Sequence, residues 1–155
     1  MTDQKPSRMI HGAEQGKMVR AALKQAFPGI KFSVTSKDCI RVCWTNGPTK
    51  KDVATIVDTF AGGKMVSGED YCAPRNTYLG DERISFINDF TFCERTITPD
   101  FIETTRKALA VLPSRTVTDL LNMAPFPGDD DIAKRIAHIL PVVVAQPVDN
   151  LPTVR

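Results

Sequence analysis

The sequence predicts an α+β fold in which helices cover one face of a single antiparallel sheet of four to five strands. Apolar residues recur with a helical period near residues 13–27, 50–60 and 99–112, and β-rich runs lie between these segments. The composition, 42% hydrophobic and 25% charged over 155 residues, suits a globular domain. We expect residues 1–112 to form this domain, with a flexible N-terminal arm, and residues 113–155 to form a helical, proline-rich extension.

The first predicted helix carries two different faces. Its apolar face ends at Pro28 and Gly29, which terminate the helix. Lys17, Arg20 and Lys24 follow one another at spacings of three and four and form a cationic ridge on another face. We take the ridge as a candidate contact surface for a partner, although such a ridge is also typical of an ordinary solvated helix face.

A hairpin is predicted from strands at residues 31–35 and 39–44, joined by the polar residues 36–38. In the second strand Ile40, Val42 and Trp44 share one face. Trp44, the single tryptophan, is therefore either a core anchor or an exposed recognition aromatic, and its alternation favours the core.

The second helix has clear start and stop signals. Asn46, Gly47 and Pro48 form a tight turn, and Thr49 caps a helix that ends at the glycine pair 62–63. The turn from residue 44 to residue 51 is a second candidate contact surface. Its proposed binding residues are Trp44, Asn46, Lys50 and Lys51.

The pattern of residues 64–93 predicts strands at 64–67, 76–79 and 83–87, with a turn at 80–81 and a bend at 88–89. We expect the segment 90–93 to extend or pair with the last of these strands.

The remaining helices start at recognisable caps. Thr98 before Pro99 starts the third helix, and a short helix is predicted at 116–123. Asp129–Asp131 favour the start of a final helix through Leu140, which docks on the core or on a partner. The last residues predict an extended tail or one edge pairing.

Short signatures of nucleotide, metal and acyl-transfer sites are absent from the sequence. Cys39 and Cys43 lie roughly 13 Å apart on a strand, too far for a shared metal or a disulfide. We expect free thiols, surface histidines at His11 and His138, no catalytic residue, no metal and no cofactor. The carboxylates of the irregular β region could in principle hold a general acid–base pair, but such clusters are usually solvated turns. The pairs are Glu69 with Asp70, Asp81 with Glu82, and Asp89 with Glu94.

The charge is unevenly distributed. Residues 1–60 hold 10 Lys/Arg against 5 Asp/Glu, and residues 61–155 hold 10 against 13. Neither half has the dense basic stripe of a dedicated nucleic-acid-binding protein. Because the chain also lacks a long apolar run and a signal-peptide pattern, we expect a cytoplasmic protein with no membrane contact.

The region from Ala21 to about Phe92 resembles the large polyvalent protein-associated domains, the twenty-ninth of that numbered series. The residues that carry the resemblance are 27–29 (FPG), 31–34 (KFSV), 44–49 (WTNGPT) and the glycine pair 62–63. Two departures from the family pattern are a shortened hairpin between Ser36 and Cys39 and about 60 residues after the matched region. The resemblance implies a protein of phages or conjugative elements and transfers no catalytic residue.

From this resemblance we expect a counter-defence protein, similar in action to an anti-CRISPR protein. It would bind and inhibit a bacterial defence protein or ribonucleoprotein complex in the host cytoplasm. Two alternatives stay open: a DNA-associated accessory module of a mobile element, and an enzyme that modifies a defence component. The oligomeric state does not follow from the sequence.

Overall fold

The structure is a computed structural model that describes residues 8–65, 72–74, 76–124, 131–143 and 145–154. The helices in these ranges are α1 (Gly12–Ala26), α2 (Lys50–Val57), α3 (Pro99–Leu109), α4 (Ser114–Met123) and α5 (Ile132–Ala137), and a 3₁₀ turn (Asp58–Phe60) follows α2. The strands are β1 (Arg8–Ile10), β2 (Ser33–Thr35), β3 (Ile40–Thr45), β4 (Gly63–Met65), β5 (Cys72–Pro74), β6 (Thr77–Leu79), β7 (Glu82–Phe86), β8 (Thr91–Thr96) and β9 (Thr153–Val154). The predicted arm before Arg8, the end of the strand predicted at 64–67, and Glu69 with Asp70 lie outside the described residues.

The α+β class is confirmed, but the predicted single antiparallel sheet is wrong. The strands form a four-stranded sheet in the order β1-β7-β6-β9, a three-stranded sheet in the order β2-β3-β8, and the pair β4-β5. Two of the pairings, β1 with β7 and β3 with β8, are parallel. Parallel neighbours come from distant parts of a chain, so no local turn signal marks their pairing.

The segment predicted to pair with β7 instead joins the other sheet. The chain bends at Ile87, and β8 then runs beside β3 with Ile40 opposite Thr91 and Thr45 opposite Thr96. Asn88 holds the bend, because its Nδ2 donates to the Ser36 carbonyl at 2.8 Å. The bend predicted at 88–89 therefore separates two sheets rather than two strands of one sheet.

The predicted hairpin is confirmed. β2 and β3 are antiparallel neighbours, with Val34 opposite Val42. Ile40, Val42 and Trp44 are buried, whereas Arg41 lies on the exposed face, where its Nη1 donates to Glu94 of β8 at 2.7 Å. Helix α1 packs against β2 and helix α2 against β8, so helices cover the inner face of this sheet.

A buried polar network fixes α1 on the core. Its apolar face is buried as predicted, from Val19 to Phe27. Gln15 is also fully buried, and its Nε2 donates to the carbonyls of Phe60 and Asn88 at 2.6 and 3.1 Å. The Gln15 Oε1 accepts the Asn88 amide at 3.3 Å, so both ends of the side chain are satisfied without water.

The two predicted helix caps are confirmed. The Thr49 hydroxyl accepts the Asp52 amide at 3.2 Å, and the Thr98 hydroxyl accepts the Phe101 amide at 3.3 Å. Gly62 follows the 3₁₀ turn, and a Cβ there would collide with the Phe86 carbonyl oxygen. Glycine is required at this position because another backbone approaches closely, not because the chain reverses through a positive φ.

The C-terminal part of the chain returns to the first part. α5 packs on α3 and α4, the Val142 amide donates to the Gly47 carbonyl at 2.8 Å, and the Gln146 amide donates to the Ala26 carbonyl at 2.8 Å. The tail ends as β9 on the edge of β6, so the edge pairing is the one of the two predicted outcomes that occurs. The division of the chain after residue 112 stays a prediction, and these contacts tie its two parts together.

Candidate functional site

The cationic ridge of α1 lies on the surface. Lys17, Arg20 and Lys24 are all exposed. The Arg20 Nη2 donates to the Val34 carbonyl at 2.7 Å, so this guanidinium also holds α1 against β2. Lys17 and Lys24 are therefore the ridge residues that can change charge without removing a described structural contact.

The turn predicted as a contact surface is largely structural. Trp44 is only 4% exposed, packs on Phe32 with 5.7 Å between ring centroids, and donates from Nε1 to the Pro48 carbonyl at 2.9 Å. It is thus a core anchor, and the interpretation as an exposed recognition aromatic is wrong. Asn46 has a positive φ of 52°, and its side chain accepts the Thr98 amide at 3.0 Å. The alternation of β3 had favoured the core position of Trp44.

Arg95 on β8 joins this turn to the C-terminal segment, and the sequence reasoning missed it. Its guanidinium makes five hydrogen bonds, all to main-chain carbonyls. The acceptors are Asn46 at 2.7 Å, Gly47 at 3.2 Å, Ala137 at 3.2 Å, His138 at 3.1 Å and Leu140 at 2.8 Å. A cation at an inward-facing position of a strand, next but one to the buried Cys93, was the signal that could have revealed it.

The Arg95 side chain is partly buried and lies against an aromatic ring. The guanidinium carbon lies 5.6 Å from the centroid of the Phe101 ring. Burial lowers the pKa of Arg95, and the nearby Asp52 carboxylate acts in the opposite direction. An arginine keeps its charge under these conditions because its pKa lies far above neutrality. We call Arg95 and its five carbonyl partners the Arg95 clamp.

A groove of about 610 Å³ opens next to the Arg95 clamp. One wall is the start of α2, with Thr49, Lys50, Lys51 and Ala54, and the other walls are Leu120 and Met123 of α4 and residues 138–140. We call this the Lys50 groove. The clamp bonds the carbonyls of His138 and Leu140 to the turn that precedes α2, so it fixes the spacing between two of the walls.

The Lys50 groove combines apolar walls with positive charge. Lys50 and Lys51 are exposed and lie in the first turn of α2, where the helix dipole adds partial positive charge. Met123 is 74% exposed, and α4 has no fully buried residue although its apolar side chains gather on one face. Among the described residues that line the groove there is no carboxylate. The groove is therefore suited to an anionic partner with apolar side chains.

A second cavity, of about 640 Å³, is lined by residues 29–33, 43–45 and 96. Phe32, Trp44, Cys43 and Lys31 are among its lining residues. It is shallow and open, and we find no converging set of titratable groups in it.

The described cysteines do not form a reactive or metal-binding site. Cys39, Cys43 and Cys93 are free thiols. Burial, with a smaller contribution from Asp58, raises the pKa of Cys93 to about 11, and burial together with Glu94 raises the pKa of Cys43. In the ranges that the structure describes, no three His, Cys, Asp or Glu side chains come together as a metal site.

Carboxylates from two of the predicted pairs form ion pairs with different arginines. Glu82 pairs with Arg8 at 2.8 Å, and Glu94 pairs with Arg41 at 2.7 Å. Of the two histidines, His11 is exposed at the start of α1, and His138 is half-buried in the wall of the Lys50 groove.

The comparisons with known proteins agree with the resemblance seen in the sequence. The family model for the large polyvalent protein associated domain 29 matches residues 10–109, which extends the resemblance from the last residue of β1 to the end of α3. Neither curated proteins nor solved structures give a match. No helix in the described part of the chain has the length and apolar character needed to cross a bilayer. The chain belongs to the large polyvalent protein associated domain 29 family, a family associated with phages and mobile elements.

Proposed function

We propose that this protein is a counter-defence factor, similar in action to an anti-CRISPR protein, that binds a bacterial defence protein or ribonucleoprotein complex in the host cytoplasm. Membership of a family associated with phages and mobile elements supports the biological setting. Inhibition by stoichiometric binding requires a surface that can bury apolar area and recognise charge. The Lys50 groove, which brings exposed Met123 together with the lysines of α2, is the observation that carries this proposal.

Two surfaces compete for the role of contact site. The ridge of α1 offers charge with little apolar area, because the apolar residues of α1 face the core. The Lys50 groove offers both, and protein interfaces gain most of their affinity where apolar anchors enter a pocket. We therefore place the partner in the groove and use the ridge as the comparison surface.

The experiment compares two charge-reversed variants during phage infection of defence-proficient and defence-deficient cells. Lys50→Glu/Lys51→Glu changes the groove, and Lys17→Glu/Lys24→Glu makes the same change in net charge on the ridge. Glutamate in the first turn of α2 favours the helix, so the groove variant should fold normally. We expect the wild type and the ridge variant to restore phage plating on defence-proficient cells, and the groove variant to lose this effect.

Several results would contradict the proposal. Unchanged plating with the wild type, together with no defence component in a pull-down from host lysate, would exclude counter-defence. Full restoration of phage plating by a folded groove variant would exclude the groove as the contact site. If only the ridge variant failed to restore phage plating, the contact would be assigned to α1.

A further inference from the structure

We infer that the Lys50 groove binds an acidic, amphipathic segment of a partner protein, with apolar side chains inserted between α2 and α4 and carboxylates beside Lys50 and Lys51. This inference rests on the proposed binding function for its biological meaning. Its physical basis is the chemistry of the groove alone.

Helix α4 supplies much of the apolar surface of the groove. Its residues Val117, Leu120 and Leu121 are only partly buried, and no residue of the helix is fully buried. An amphipathic helix normally gains its stability by burying its apolar face. The end of α4 instead exposes Met123 at the groove, and a methionine adapts its shape to different apolar side chains. The groove thus presents apolar surface that a bound segment would cover.

Helix α2 supplies the positive charge of the groove. Lys50 and Lys51 are neighbours at the rim, and the positive end of the α2 dipole lies at the same place. Thr49 also lines the groove, and its hydroxyl is already used to cap α2. Carboxylates next to apolar side chains match this pattern, whereas a cationic segment would be repelled.

Two walls of the groove, the start of α2 and residues 138–140, are held in position before a partner arrives. The Arg95 clamp bonds the turn before α2 to the carbonyls of His138 and Leu140. A pre-organised site loses less conformational entropy on binding. A nucleic acid fits this groove less well, because phosphate binding needs many cations and gains little from Leu120, Met123 and Ile139.

The test uses purified full-length protein and short synthetic peptides. The probe carries leucine at every third or fourth position and glutamate elsewhere. One matched peptide has lysine in place of glutamate, and another has serine in place of leucine. Binding is measured by fluorescence anisotropy, and the methyl NMR resonances of Met123 and Ala54 report where the peptide binds.

We expect the acidic amphipathic peptide to bind at least about tenfold more tightly than either matched peptide, since binding needs both charge and apolar contact. It should shift the Met123 and Ala54 methyl resonances. Lys50→Glu/Lys51→Glu should weaken binding at least about tenfold, and the matched Lys17→Glu/Lys24→Glu variant should stay within about twofold of the wild type. Raising the salt concentration from about 50 mM to about 500 mM should weaken binding by screening.

The inference fails if no peptide binds at millimolar concentration, if the lysine peptide binds as well as the acidic one, or if the methyl shifts lie outside the groove. It also fails if light scattering shows a dimer that Lys50→Glu/Lys51→Glu dissociates, because a second copy of the chain then covers the groove. No host component is present, so a negative peptide result with intact protection of phage would overturn the ligand chemistry alone. Peptide binding without protection would instead overturn the counter-defence function.

Discussion

Arg95 is the residue on which the arrangement of the groove depends most. All five of its hydrogen bonds go to carbonyls, and a guanidinium has five N–H donors in a planar fork. Lysine has three donors on a flexible stem and cannot reproduce this pattern. The charge is therefore used to hold two chain segments together and not to pair with an acid.

Replacement of Arg95 by lysine should lower the free energy of unfolding by about 2–4 kcal/mol, because main-chain carbonyls lose charged donors in a partly buried site. Urea denaturation measures this loss. Hydrogen exchange should show increased opening of residues 131–143, which the clamp attaches to the turn before α2. The matched control is Arg41→Lys on the exposed sheet face, with an expected loss below about 1 kcal/mol. Equal effects of the two substitutions would contradict the clamp.

Cys93 provides a second test at the scale of a residue. Because burial raises the pKa of its thiol to about 11, very little thiolate exists at pH 8 in the folded protein. We expect iodoacetamide to alkylate Cys93 more than about a hundredfold more slowly in the native protein than in the urea-unfolded protein. Peptide mapping by mass spectrometry follows this cysteine separately from the others. Rates within about tenfold of each other would show that Cys93 is not buried as described.

At the scale of elements, the sequence predicted what local signals determine. The hairpin of β2 and β3, the Thr49 cap, the Thr98 cap and the hairpin of β6 and β7 are each set by neighbouring residues, and all are present. The parallel pairings of β1 with β7 and of β3 with β8 depend on tertiary contacts, so the sequence did not reveal them. The short strand β1 was not predicted from the sequence for the same reason, because it pairs only with the distant strand β7 in the described residues.

The candidate site divides in the same way. Lys50 and Lys51 were identified because they follow a recognisable turn and cap. Their apolar neighbours Leu120, Met123 and Ile139 come from distant segments that only the folded chain brings together. The short helix predicted at 116–123 carries Leu120 and Met123, but local signals do not show which segment it packs against.

Helix α5 is the element whose stability should depend on acid. Asp131 caps it by accepting the Lys134 amide at 3.3 Å, and it also pairs with Arg106 of α3 at 3.0 Å. The Arg106 guanidinium, and then the Lys134 amide, hold the pKa of Asp131 below its ordinary value. A lowered pKa means that the folded state favours the carboxylate. The resulting stabilisation is present above the unfolded-state pKa and is lost as the pH falls through the folded-state pKa.

We therefore predict that Asp131→Asn is less stable than the wild type by a constant amount between about pH 7 and pH 5, and that this difference shrinks below about pH 4. Denaturant unfolding at a series of pH values measures the difference. In an Arg106→Gln background the effect of Asp131→Asn should be smaller above about pH 5, because the main cause of the lowered pKa has been removed. A difference that does not change down to pH 2 would contradict the role of Asp131.

In the whole molecule, the first 60 residues hold the excess of positive charge. Two of these charges, Lys50 and Lys51, lie beside the apolar walls of the groove. This distribution also separates the proposal from the alternative of a DNA-associated module. Binding to DNA through phosphates would weaken steeply with salt and would not need Met123 or Leu120. We expect weak binding to duplex DNA with a small salt dependence, and a steep dependence would favour the alternative.

The central claim is inhibition by stoichiometric binding, and a titration of the purified defence complex tests it most directly. Defence activity is measured as this protein is added, and the intact masses of the defence components are measured at each point. We predict that activity falls linearly to a break at a fixed molar ratio, with no change in mass, and that Lys50→Glu/Lys51→Glu removes the break. Complete inhibition at a small fraction of that ratio, accompanied by a mass change in a defence component, would show an enzyme and contradict the account.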